Sequence, residues 1–254
     1  MVDLGVILGY IWSDPPFLAQ THFNQQNIYR ATLILQLKKM KKVILFDFWG
    51  TLVENGVWSP TKQVQHILRI DAPFSDYVVR MERAMMTKPF SSLTEAFQSV
   101  YEEFAIEPNQ KELELLIGLW NKNWMLAKPY METIAVLKTL SEKYTVVLIS
   151  NSDCFGIKNV LEKFKMKELF HKTFLSCDVG MIKTDEKFLK YVTKELKVKI
   201  EDCVIVGDSL QSDMVPAQKA GMKTILVDRK IAREFEPRIA SLKELEGVLE
   251  QIWP

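Results

Sequence analysis

The sequence has almost no surplus of either charge, 33 Lys and Arg against 32 Asp and Glu. A nucleic-acid groove or an anionic membrane surface calls for a basic excess, so neither partner is expected. Long apolar runs are missing too. Val43–Phe46 and Val146–Ile149 are among the longest, far short of the ~20 residues that span a bilayer. Cysteines number three, Cys154, Cys177 and Cys203. They are scattered and lack Cys-x-x-Cys spacing, which favours reduced cytosolic thiols over disulfides or zinc, and a cytoplasmic protein. The three histidines, His22, His66 and His171, show no ligand spacing and are expected at the surface or in packing. There is no internal repeat and no low-complexity linker. What is left is ordinary globular composition, 48% hydrophobic and 26% charged, with ample material for a core.

Residues 1–39 differ from the rest. They have few charges, an Asn/Gln-rich middle and no sustained period, and they lack the charged start and apolar core of a signal peptide. Met40 then precedes "KKVILFDFWG". The expectation is a peripheral N-terminal extension over 1–39, with the domain beginning at Met40. The run "KKMKK" (38–42) is expected to be a solvated edge.

Beyond Met40 short apolar segments alternate with helical ones. Val43–Phe46, "TVVLIS" (145–150), "KTFLSC" (172–177), "CVIVGD" (203–208) and "KTILVD" (223–228) predict strands. Met131–Lys143, Phe155–Phe164, Asp185–Leu196, Asp213–Ala220 and Ser241–Gln251 predict helices. Continuous apolar strands alternating with helices predict an α/β fold, a doubly wound parallel sheet covered on both faces. Nearly a hundred residues separate the first two strands, where about 12 suffice for a crossover. Within them Tyr77, Met81, Ala84 and Met85, and then Leu93, Ala96, Phe97 and Val100, recur at three-to-four spacing. This predicts an all-helical cap of about four helices. The expected division is a core over 40–55 and 129–254 and a cap over 56–128.

Three predicted strands end in polar residues: Asp47, Ser150-Asn151 and Gly207-Asp208-Ser209. In an open parallel sheet, ligands bind beyond the carboxyl ends of the strands, so these groups should converge. Asp213 follows at the start of the next helix, making three carboxylates in one crevice. Like charges at close range are costly unless neutralised. A hard divalent cation with oxygen ligands does this, and magnesium is the usual choice where phosphate oxygens complete the shell. Lys183 in "GMIKTDEKF" offers a compact positive charge to Asp47 and to a substrate anion.

These four parts, in this order, resemble the haloacid dehalogenase superfamily, whose commonest members are magnesium-dependent phosphohydrolases. The parts are Asp47-Phe48-Trp49-Gly50-Thr51-Leu52 at a strand end, Ser150 at a second, Lys183 ahead of a helix, and Gly207-Asp208-Ser209 to Asp213. The match runs from Val43 to about Val227, and the helical insertion falls where that family places its cap. The resemblance implies that Asp47 attacks phosphorus and forms an aspartyl-phosphate that water hydrolyses. It implies magnesium held by Asp47, the Trp49 carbonyl, Asp208 and Asp213. It implies phosphate held by Ser150, by backbone amides of Phe48, Trp49 and Asn151, and by Lys183. The partner would be a small phosphorylated metabolite.

One position departs from the pattern. Phosphatases of that family place a second Asp two residues after the nucleophile, and here Trp49 stands there, with neither acid nor base. General acid–base help is worth roughly 10²–10⁴-fold, so three readings stay open. A 2-haloacid dehalogenase also lacks the second Asp and needs no metal, yet gains nothing from Asp208 and Asp213. A phosphatase whose acid comes from elsewhere keeps those carboxylates and is the favoured reading; Glu54 and His66 are too loosely placed to nominate. A non-catalytic binding module is the third. Trp58 falls at the family's mobile flap and is assigned to the substrate entrance. Phe48 and Trp49 are expected to wall the pocket, Trp120 and Trp124 to pack in the core. Arg80, Arg83, Lys88 and Lys128 are expected on a solvated helix face.

Overall fold

The computed structural model describes residues 42–253, so the expected extension over 1–39 lies outside the described residues. Strand β1 (Val43–Phe46) is buried along its whole length. Side chains alternate faces along a strand, so a run without alternation needs cover on both sides. It has it: Ile44 and Phe46 join one apolar cluster, Val43 and Leu45 the other. A Val, Leu, Ile or Phe side chain buried this fully contributes ~1.5–3 kcal/mol.

After β2 (Val53–Glu54) come α1 (Pro60–Ile67), α2 (Phe74–Met86), α3 (Leu93–Glu103) and α4 (Gln110–Leu126), and then β3 (Lys128–Pro129). Strands β2 and β3 pair antiparallel, Val53 with Pro129, so the chain leaves and re-enters the sheet domain side by side. Helices α1 to α4 enclose their own cluster around Tyr77, Met81, Phe97 and Leu116. Side chains set two of the helix starts: Ser92 accepts from the Glu95 N–H, and Asn109 from the Lys111 and Glu112 N–H groups. Arg80, Arg83, Lys88 and Lys128 are exposed, as expected of a solvated face, and two of them also form ion pairs. Arg80 pairs with Glu103 inside the cap at 2.6 Å. Arg83 reaches across to Asp185 with two contacts, at 2.7 and 3.2 Å.

The chain continues through α5 (Thr133–Ser141), β4 (Thr145–Ser150), α6 (Gly156–Lys163), β5 (Lys172–Leu175), α7 (Ser176–Val179), α8 (Glu186–Leu196), β6 (Cys203–Gly207), α9 (Val215–Lys219), β7 (Lys223–Val227), β8 (Arg238–Ile239) and α10 (Leu245–Ile252). The six-stranded sheet runs β5-β4-β1-β6-β7-β8, every pair parallel, which is the doubly wound sheet that the alternation predicts. Two details differ. β8 is only two residues long and carries no strand pattern of its own; it exists by pairing Val227 with Ile239. β5 stops at Leu175 because Ser176 and Cys177 already belong to α7.

The cysteines are a further correction. Cys154 and Cys177 form a disulfide, and Cys203 is free and buried. Cys154 follows β4 and Cys177 follows β5. These strands are neighbours, so their ends bring together cysteines whose sequence spacing carries no pairing signal. Among the described residues, no helix is long and apolar enough to cross a membrane.

From β1 the chain runs to β4 and β5 on one side, then crosses to β6, β7 and β8 on the other. The reversal lies at the carboxyl end of β1, where such sheets open a ligand crevice.

Candidate active site

Asp47 stands one residue beyond β1, at that reversal. Its N–H still donates to the Val206 carbonyl (2.9 Å), extending the ladder and fixing the carboxylate between β4 and β6. The chain then turns sharply, and the Leu52 and Val53 N–H groups both donate to the Phe48 carbonyl. Gly50 has φ +79°, and a Cβ there would sit 2.3 Å from Asp208 Oδ2. Gly207 ends β6 under the same constraint, since its Cβ would lie 2.3 Å from Asp213 Oδ2. Both positions lack a side chain because a carboxylate fills the space.

Asp47, Asp208 and Asp213 each offer an oxygen within 4.8 Å of the others. Lys183 lies between two of them, its Nζ donating to Asp47 Oδ1 at 2.5 Å and to Asp213 Oδ1. The Thr51 hydroxyl donates to Asp47 Oδ2 at 3.1 Å, and the Ser209 N–H to Asp213 Oδ2 at 3.0 Å. Burial, and then the charges of Asp47 and Asp213, hold Asp208 above the usual carboxylate range. Burial likewise raises Asp213, with Lys183 partly offsetting it. Burial by itself would lower the Lys183 ammonium, but the Asp213 and Asp47 charges outweigh it and hold the group firmly protonated. The cluster therefore sets three carboxylates against one ammonium and favours one more positive charge.

A cavity of about 300 Å³ opens over this cluster, between the sheet edge and the cap. Asn151 joins its two sides, its Oδ1 accepting from the Lys183 N–H (2.8 Å) and its Nδ2 donating to Glu82 Oε2 of α2 (2.7 Å). Desolvation pushes the Glu82 carboxyl up to about 7, even though the Asn151 hydrogen bond and Lys183 pull the other way. Asp153 is held by the Trp120 indole N–H (2.8 Å) and by the Phe155 and Gly156 N–H groups that open α6.

The structure brings Asp47, Trp49, Asn151, Lys183, Asp208 and Asp213 together on this cavity. Three expectations need correction. Ser150 is completely buried and outside the cavity lining, whereas Asn151, one residue beyond the strand, is part of it. Phe48 is also completely buried and belongs to the sheet core, so Trp49 alone of the pair walls the cavity. Trp58 is 75% exposed and outside the lining, whereas its neighbours Ser59 to Thr61 contribute to it. Trp120 packs in the cap core as expected and also reaches the cavity, as does Trp124. Glu54 and His66 are exposed and away from it.

Residues the sequence did not single out are Asp153 and Glu82, and Thr51, quoted there only as part of the strand-end motif, also holds Asp47. Glu82 had a legible signal: Phe74, Val78, Glu82 and Met86 recur every four residues, and this single stripe of α2 faces the cavity. Trp49 turns its indole N–H to Ser152 Oγ (2.9 Å) and meets Phe48 edge to face, with centroids 5.0 Å apart.

The model of the family described as haloacid dehalogenase-like hydrolase matches residues 44–227. A glyceraldehyde 3-phosphate phosphatase of Methanopyrus kandleri is 30% identical over 78% of this chain and 89% of its own. A phosphoserine phosphatase of Methanocaldococcus jannaschii is 24% identical over 85% of this chain and 100% of its own. The crystal structure of a HAD-hydrolase of Bacillus subtilis bound to magnesium superposes with a TM-score of 0.58 at 18% identity, covering 84% of this chain and 100% of that one, which shows the shared fold. The family model spans the sheet and the cap together, and the chain belongs to the haloacid dehalogenase-like hydrolases.

Proposed function

We propose that the protein is a magnesium-dependent phosphohydrolase of small phosphate monoesters, acting through an aspartyl-phosphate on Asp47. The observation that carries this reading is the acidic cluster. Asp47, Asp208 and Asp213 offer three oxygens within 4.8 Å of one another, with Lys183 paired to only two of these residues. An all-oxygen set with surplus negative charge suits a hard divalent ion. Asp47, Asp208, Asp213 and the Trp49 carbonyl would hold it. When bound, magnesium neutralises charge on the transferring phosphoryl group.

The chain's own residues supply the rest. Thr51 and Lys183 each hold one Asp47 oxygen, so the carboxylate is oriented before substrate arrives. The Asp47 oxygen bonds to phosphorus as the ester oxygen departs, and water then cleaves the acyl phosphate. The Lys183 ammonium balances the nucleophile and the equatorial oxygens. Backbone amides of Phe48 and Trp49 and the Asn151 side chain would donate to phosphate oxygens. The cavity, at about 300 Å³, lies at the small end of ligand sites. That size fits the three-carbon phosphates in the names of the two phosphatase relatives.

A panel of phosphomonoesters and 2-haloacids, assayed with magnesium and with chelator, tests the reading. Phosphate release that stops with chelator is expected. Halide release indifferent to chelator would establish a dehalogenase instead. Metabolite binding without turnover would establish a binding module.

A further inference from the structure

We propose that Glu82 of the cap is the general acid and base of this site, replacing the carboxyl that Trp49 excludes. The inference rests on the phosphohydrolase reading and extends it to proton transfer. Trp49 fills the usual acid position with an indole tied to Ser152. Any acid must therefore come from elsewhere on the cavity wall. Among the described residues, the carboxyl groups lining the cavity are Asp47, Glu82, Asp153, Asp208 and Asp213. Asp47, Asp208 and Asp213 form the cluster around Lys183. Asp153 already accepts from three N–H donors, which engage both its oxygens at the start of α6. Glu82 is left, with one partner, the Asn151 amide at 2.7 Å.

Its position suits the role. Glu82 lies on the cavity stripe of α2 and lines the same cavity as Asp47, and α2 is tied to the core by the Arg83–Asp185 pair. Asn151 fixes the carboxyl next to Lys183. The charged groups that act on Glu82 are Lys183, Asp213 and Asp47 from the core, and on its own helix the Tyr77 hydroxyl feels its charge. Burial leaves the carboxyl with a pKa of about 7, where an acid can both give and recover a proton. A neutral carboxyl also admits a phosphate dianion that a carboxylate would repel.

The steps balance. As the Asp47 oxygen bonds to phosphorus and the phosphorus–ester oxygen bond breaks, the Glu82 proton passes to the leaving oxygen, releasing an alcohol. Glu82, now a carboxylate, takes a proton from the water that attacks phosphorus. The acyl phosphate bond breaks, Asp47 is regenerated, phosphate leaves and Glu82 is again protonated.

Glu82→Gln tests this, because the amide oxygen still accepts from Asn151 but carries no transferable proton. Turnover is compared on an alkyl phosphate and on p-nitrophenyl phosphate, whose leaving group needs no proton. The variant should lose ~10²-fold or more in kcat on the alkyl ester and much less on the aryl ester. The fall in wild-type kcat above pH 7 should vanish. Glu82→Asp, which keeps a shorter acid, should restore part of the alkyl-ester rate and the basic limb, and it serves if the glutamine variant does not fold. Equal losses on both esters with a raised KM, or wild-type rates on both, would overturn the assignment, leaving Glu82 as a latch between cap and core. Wild-type protein inactive on either ester would instead overturn the phosphohydrolase reading, and this proposal with it.

Discussion

Replacing Lys183 with Met removes the one ammonium between two buried carboxylates while keeping a side chain of similar length. Lys183, Asp47 and Asp213 are all nearly inaccessible, with side chains 4%, 7% and 0% exposed. Solvent therefore cannot take over the role of the lost charge. Breaking a buried pair by removing one partner costs ~3–5 kcal/mol, against ~0–1 kcal/mol for a surface pair. For a chain of this size that corresponds to a fall in Tm of roughly 6–20 °C. The loss should depend on pH. Asp213 is already raised in the folded protein by burial. A raised carboxyl keeps its proton when the unfolded chain has released its own, so stability falls as pH rises from the unfolded value, ~3.9, through the folded one. Without Lys183 the Asp213 value rises further and that window extends upward. The gap between wild type and Lys183→Met should be widest near pH 8 and narrow toward pH 5. Urea unfolding across pH 5–8 measures it directly. A loss under ~1 kcal/mol at pH 7, or a gap that widens on acidification, would refute the claim that Lys183 is the structural counter-charge of this cluster.

Two other substitutions probe the same neighbourhood. Gly50→Ala forces a φ of +79° on a residue with a Cβ and drives that Cβ into Asp208; a stability loss of ~1–2 kcal/mol from the backbone alone is expected, with a larger proportional loss of magnesium binding by calorimetry, and an unchanged titration would contradict the packing of Asp208 against this turn. Trp49→Asp restores the family's acid position but removes the Ser152 hydrogen bond and the contact with Phe48. Because Glu82 supplies the proton, turnover of alkyl phosphates should stay level or fall, and a clear rise would show that the cavity lacks an acid.

The strands were legible because burial on both faces leaves an unbroken apolar run, as in β1, β4 and β6. Asp47 and Asp208 were legible because a carboxylate at the end of such a run has no packing reason to be there, and Asp213 from its place at the start of the helix that follows. Lys183 was legible from its order relative to them. Ser150 misled because the strand-end position does not say which of two adjacent residues turns outward, and it is Asn151 that lines the cavity. Trp58 misled because its neighbours bear the contacts. The Cys154–Cys177 pairing depends on β4 lying beside β5, a nonlocal fact with no trace in their spacing. Glu82 carried a periodic signal that was easy to pass over. Its stripe on α2 interleaves with the one that buries Tyr77, Met81 and Met85 in the cap, and a single carboxylate on a second face resembles a solvated residue until the cap is placed over the sheet.

The central claim is a covalent phosphoryl intermediate on Asp47. Rapid mixing with substrate and magnesium, quenching in acid, borohydride reduction and peptide mass spectrometry test it directly, since an acyl phosphate is reduced to the alcohol and a free carboxylate is not. The account predicts homoserine at position 47, in wild type and absent from Asp47→Asn. Homoserine at another carboxylate, or turnover with Asp47 never modified, would contradict it.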